Sequence, residues 1–91
     1  MLEALLGSTK KENILIFIEC RDKGYAREIA KFYNIPLTPV QKQLKNLEIG
    51  GIIYGEREGK TLIYRFNPRY SFIFELRSLL QKVIEFYPEE F

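Results

Sequence analysis

The sequence predicts a mostly helical α+β domain: a three-helix core, a two-stranded β-hairpin and one added C-terminal helix. Three observations carry this reading. Val40, Leu44 and Leu47 form an apolar stripe at helical spacing, and Gly50 and Gly51 stop the segment that bears it. Beyond those glycines the apolar period changes from about 3.6 to about 2, in "IIYGER" and "TLIYRF". The chain then becomes helical again, with ten apolar residues between Phe72 and Tyr87.

The elements follow in order. "LEALLG" suits a short apolar turn ending at Gly7, and Thr9 with Glu12 has capping-box spacing for a helix over about 10–21. That helix is apolar nearly all round through "ILIFI", so it belongs at the centre. "RDKG" ends it. In "YAREIAKFYN" the positions Ile29, Ala30 and Tyr33 share one face of a short helix, and Asn34 can take the left-handed conformation that turns the chain after it. In "IPLTPVQKQL" Thr38 is expected as N-cap, kept out of the helical region by the proline after it. Pro39 would then be the first helical residue, and Gln41 would complete a capping box. The hairpin strands join through "EGK", and Asn67-Pro68 breaks the second of them. The last helix is expected over about 70–87.

Composition narrows the function. The 91 residues are 46% hydrophobic and 29% charged, which fits a single globular domain over 1–91. No apolar run is long enough to span a bilayer and no signal peptide is apparent, so a cytoplasmic location and no membrane partner are expected. Cys20 is the one cysteine and is expected as a small core residue. With no histidine, the chain offers no Ser-His or Cys-His pair and no soft ligand set for zinc. The carboxylates mostly sit beside lysine and arginine, so neither an enzyme nor a cofactor is expected. The formal charge is only +2, yet residues 10–66 carry eleven basic and seven acidic side chains, while the last 25 residues net −1.

A short helix, a sharp turn and a polar-faced second helix over about 25–50 form a helix-turn-helix arrangement, whose second helix suits a DNA major groove. At about 100° per residue, the face opposite the apolar stripe carries Thr38, Lys42, Lys45 and Asn46, flanked by Pro39 and Gln41. Ile49 projects outward near the end. The residues "REIA", the Val40–Leu44–Leu47–Glu48 spacing, "GGII", "REGK" and "YRFNP" together resemble the winged helix-turn-helix transcriptional regulators of the ArsR/MarR-like kind, from about Leu6 to Gln81. The resemblance implies a recognition helix at about 37–49 and a wing at about 53–66. It implies base or phosphate contacts from Thr38, Pro39, Gln41, Lys42 and Lys45, and phosphate contacts from Arg57 and Lys60. The cysteine and histidine ligands through which part of that family senses metals are missing here.

Each assignment has a plainer alternative. Lys42 and Lys45 also suit a solvated helix face, Gln41 a cap, and Arg57 and Lys60 a soluble hairpin tip diluted by Glu56 and Glu58. Ile29 and Ala30 read as packing, with Arg27 near a phosphate, and Tyr54 and Tyr64 as core and strand packing. The last helix is more apolar than a small three-helix core can cover, so a homodimer is expected. Its seam would hold Leu76, Leu79, Leu80, Val83 and Phe86, helped by Leu2, Leu5 and Leu6. The function expected is sequence-specific binding of double-stranded DNA as a transcriptional regulator. The alternative is a protein–protein interaction module of the same fold that does not bind DNA.

Overall fold

The computed structural model describes residues 1–87; Glu89 and Glu90, half of the acidic groups in the last 25 residues, lie outside it. The order is α1 (Glu3–Leu6), α2 (Thr9–Arg21), α3 (Ala26–Tyr33), α4 (Leu37–Ile49), β1 (Ile53–Glu58), β2 (Thr61–Phe66) and α5 (Ile73–Phe86). Helix α2 is the axis of the core, with Ile14, Leu15, Ile16, Phe17 and Ile18 all buried in succession. It meets α1, α3, α4, α5 and β2, which is why an apolar surface all the way round is useful there. Among the described residues no helix is long and apolar enough to cross a membrane.

The cap of α2 differs from the sequence expectation by one residue. Ser8 is the N-cap and its hydroxyl accepts from the Lys11 amide, so Thr9 is already helical. Glu12 is thereby released from capping. It turns inward, is nearly fully buried, and accepts from the Leu2 amide at 2.9 Å, which fastens α1 to α2. Cys20, expected inside, is exposed at the end of α2.

Asp22 closes α2 in the left-handed region, at φ 71°. Gly24 then pairs with the wing, its N–H donating to the Tyr64 carbonyl at 3.0 Å while the Tyr64 N–H donates back at 2.8 Å. A Cβ at Gly24 would stand 3.0 Å from Phe17 Cδ1 and 3.1 Å from Ile29 Cδ1, so any side chain here would crowd the two core residues. Asn34, at φ 54° and ψ 51°, makes the sharp turn after α3 as its residue type suggests.

Helix α4 starts at Leu37 with Pro36 as N-cap, two residues before the expected start, and Thr38 makes no cap. Leu37 is half-buried against the core, and helical geometry from this residue onward lets it pack there. Pro39 fits the first turn because its missing N–H is one that no intrahelical carbonyl would have accepted. The other end follows the pattern read from the glycines. Gly51 takes φ 80°, its N–H donates to the Glu48 carbonyl and the Ile52 N–H reaches back to Leu47, a Schellman closure.

The hairpin pairs Ile53 with Phe66 through Glu58 with Thr61, leaving Gly59-Lys60 as a two-residue turn with Gly59 at φ 67°. Asn67 closes its base: its amide donates to the Ile52 carbonyl and its side chain to the Gly51 carbonyl, both at 2.9 Å. Turns through Tyr70 use up the residues before Ile73, so α5 begins three residues later than expected. Leu80 and Val83 of α5 are buried within the protomer core, and Leu2 joins them, so these three have little or no surface to offer a partner.

Tyr33 packs edge-on to Phe17 and Phe32, and burial pushes its hydroxyl up to about 12. A raised folded-state value favours the protonated form, so its contribution is complete below pH about 10 and is lost as pH rises through about 12. Urea unfolding across this window should show stability falling with pH. Tyr33→Phe should give a shallower fall.

Candidate nucleic-acid interface

Four of the expected contact residues stand where a long partner could reach them. Val40, Leu44 and Leu47 bury one face of α4, which turns Thr38, Gln41, Lys42 and Lys45 outward to solvent. Neither Lys42 nor Lys45 forms an ion pair among the described residues. Ile49 continues the ridge of Thr38, Lys42 and Lys45 one turn further and is 77% exposed. Pro39 is half-buried at the flank. Asn46 departs from the group: it borders an apolar groove on the other side of α4, between α1 and α5.

At the helix start, four N–H groups would normally lack an intrahelical acceptor. Two of those positions here are Pro36 and Pro39, so only the Leu37 and Thr38 amides remain as donors.

The wing is fixed to α4 by Glu48, whose carboxylate accepts from the Gly55 amide at 3.2 Å. A Cβ at Gly55 would stand 3.1 Å from Leu62 Cδ1, 3.1 Å from Tyr64 Cε1 and 3.2 Å from Glu48 Oε2. The ribbon's two faces then divide its charges. Arg57 shares a face with Leu62 and Tyr64, toward the core, while Glu56 and Glu58 lie on the other. There Arg65 reaches both carboxylates, at 3.5 and 3.1 Å, and its hydrogen bond to Glu58 raises the guanidinium pKa further. The two glutamates are thus engaged on the far side of the ribbon from Arg57. Arg57 folds back at the tip, donating to the Lys60 carbonyl at 3.5 Å. Tyr54 lies on the outer face and is 37% exposed, against the packing role expected for it; Tyr64 is buried as expected. Burial, and Glu48 beside it, raise the Tyr64 hydroxyl pKa, so it stays a neutral donor.

Helix α3, α4 and the wing converge on a cleft of about 280 Å³. Tyr25, Arg27, Gln41 and Lys60 form its exposed rim, and Ala26, Leu44, Leu62 and Tyr64 its covered floor. The fold therefore brings Arg27, Gln41 and Lys60 together from three elements. Sequence reasoning does not single out Tyr25; the only signal is its position directly before the "AREIA" helix, where it is the N-cap yet makes no capping hydrogen bond.

A second apolar edge lies on α5. Phe72, Leu76, Leu79 and Phe86 stand along it at the spacings helices use against each other, with Val83 buried between the last two. Phe72 and Phe86 are 64% and 72% exposed. With Leu5 and Leu6 of α1, the seam's first half lines a groove of about 560 Å³.

Helix-turn-helix plus wing, with a flanking helix at each end, is the winged helix-turn-helix fold. Solved structures agree. Reduced HlyU from Vibrio cholerae N16961 matches with a TM-score of 0.74 and 14% identity over 94% of this chain and 84% of its own. The AntR antimony-specific transcriptional repressor matches with a TM-score of 0.71 and 18% identity, over 97% and 78%. The homodimeric winged helix-turn-helix DNA-binding domain Mb0332 from Mycobacterium bovis matches with a TM-score of 0.67 and 22% identity, over 94% and 77%. No protein-family model matches the chain, and no curated protein matches it in sequence. At these identities the likeness establishes the fold.

Gly55→Ala tests how the wing is held. All three neighbours would have to give way, including the carboxylate that anchors the strand, so overpacking should cost about 1–2 kcal/mol. Urea unfolding should show this as a lower midpoint.

Proposed function

We propose that this chain is a DNA-binding transcriptional regulator that acts in the cytoplasm as a homodimer, with α4 in the major groove and the wing on the backbone. The observation that carries this reading is the exposed ridge of Thr38, Lys42 and Lys45, whose lysines have no ion-pair partner among the described residues, beside a cleft rimmed by Arg27 and Lys60. Such cations on a helix of groove width neutralise phosphates, while Gln41 and Lys42 have the reach to meet base edges. The fold shared with a DNA-binding domain and with a transcriptional repressor supports the same reading. A dimer doubles a modest charge of +2 and sets two helices against half-sites about 34–36 Å apart.

In this proposal the homodimer seam uses the exposed Phe72, Phe86 and Leu5, together with the outward parts of the half-buried Leu76 and Leu79. Leu80 and Val83 support it from within the core. A second reading, a protein-interaction module, is favoured by Ile49, an exposed apolar residue on the ridge itself.

Salt-titrated binding to a short duplex of random sequence separates these readings, because a regulator shows weak, salt-sensitive affinity there. Lys42→Ala with Lys45→Ala should weaken that affinity and flatten the slope of log K on log salt by up to about 0.9 for each phosphate that is no longer neutralised. Unchanged binding in the double variant moves the interface elsewhere. For the dimer, sedimentation should give twice the 10.8 kDa protomer mass. Phe72→Glu with Phe86→Glu, both on exposed positions, should return a folded monomer, whereas Leu80→Ala should instead lower protomer stability by about 2–5 kcal/mol.

A further inference from the structure

We propose that the cleft between α3, α4 and the wing seats one sugar–phosphate unit of a DNA strand, and that the Tyr25 hydroxyl is a phosphate donor that fixes the register of the protein on the duplex. The inference rests on the DNA-binding reading above and adds to it a seat and a residue that the sequence did not mark.

The cleft has a mostly apolar floor, Ala26, Leu44 and Leu62 with the ring of Tyr64, and the half-buried Thr61 is the polar residue among them. Its rim is polar, with Arg27 contributed by α3, Lys60 by the wing and Gln41 by α4. A cation on α3 and another on the wing neutralise an anion that passes between those two elements, and the floor offers the body of the ligand an apolar face. Among nucleic-acid parts this division matches the backbone itself, an anionic phosphate joined to a largely apolar deoxyribose ring. It does not match a base, whose edges need several paired donors and acceptors. At about 280 Å³ the cleft has room for one backbone unit rather than a base pair.

Tyr25 completes the rim. As N-cap of α3 it has an extended backbone, φ −127° and ψ 159°, and its side chain is not used to cap the helix. The residue is 37% exposed. A tyrosine loses few rotamers on binding and presents its hydroxyl at the end of a rigid ring, so it suits a contact that must fall at one distance. Because phosphates are the same at every step, such a contact positions the protein without reading sequence. Arg27 and Lys60 supply charge to the seat; Tyr25 supplies the fixed point.

The test compares wild type, Tyr25→Phe, Arg27→Ala and Lys42→Ala on two duplexes, one selected from random DNA and one of scrambled sequence, over a range of salt. Tyr25→Phe keeps the ring, so thermal melting should be unchanged. Its affinity should fall about tenfold or more on both duplexes alike, as for the removal of one hydrogen bond to a charged group. Its salt slope should match wild type because no charge is removed, whereas Arg27→Ala should flatten the slope by about 0.9. A scan replacing single phosphates by neutral methylphosphonates should then find one position per half-site where wild type loses affinity and Tyr25→Phe loses no more. The seat is wrong if Tyr25→Phe binds both duplexes like wild type while Lys42→Ala is impaired. A loss confined to the selected duplex also overturns it, since that is base readout. If wild type binds neither duplex at low salt, the DNA-binding reading fails and this inference with it.

Discussion

The architecture depends on two hydrogen bonds between Gly24 and Tyr64. They attach the wing to the turn between α2 and α3, where the absence of a side chain on Gly24 leaves Phe17 and Ile29 uncrowded. Tyr64 is both the partner strand's residue and a member of the buried core, so the same residue sets the height of the wing and closes the floor of the cleft. Glu48 and Asn67 then hold the wing at the end of α4 and at the hairpin base. Three elements that could each move alone become one surface. The site has its shape because the backbone around Gly24 and Gly55 has no side chains in the way.

Charge on this surface is arranged rather than abundant. With a net charge of +2, a uniform distribution would attract a polyanion only weakly. Several of its acids are paired within the protomer. Arg65 engages Glu56 and Glu58 on the outer face of the wing, Glu19 accepts from Arg77 and Gln81 between α2 and α5, and Glu12 is buried against Leu2. Among the described residues Lys42 and Lys45 have no acidic partner on the ridge, and Arg27 and Lys60 stand on the rim of the cleft.

Much of this was legible in the sequence where one force dominates. The Val40, Leu44 and Leu47 stripe, the glycine end of α4, the left-handed Asn34 and the change of period into the hairpin each follow from local geometry, and each is seen. What failed needed three-dimensional competition. Thr38 is a better cap than Pro36 by residue type, but packing of Leu37 sets the helix start earlier. Thr9 and Glu12 have box spacing, yet Ser8 takes the cap and Glu12 ties down Leu2 instead. The apolar pattern of α5 shows which residues avoid water but not which neighbour covers them. Periodicity alone therefore groups Leu80 and Val83 with Leu79 and Phe86, although α2 already encloses the first two. Tyr25 was invisible because α4 and the wing come beside it only in the folded chain.

The two prolines at the start of α4 have one more consequence. A ring fixes the backbone torsion before folding begins, so Pro36 and Pro39 narrow the conformations that the unfolded segment can sample. Little ordering is left to be done at this point of the surface when a ligand arrives, and less of the binding energy is lost to it. With only the Leu37 and Thr38 amides left to donate, the helix end attracts an anion less strongly than an open one would. The segment has exchanged some electrostatic pull for a shape that is settled in advance.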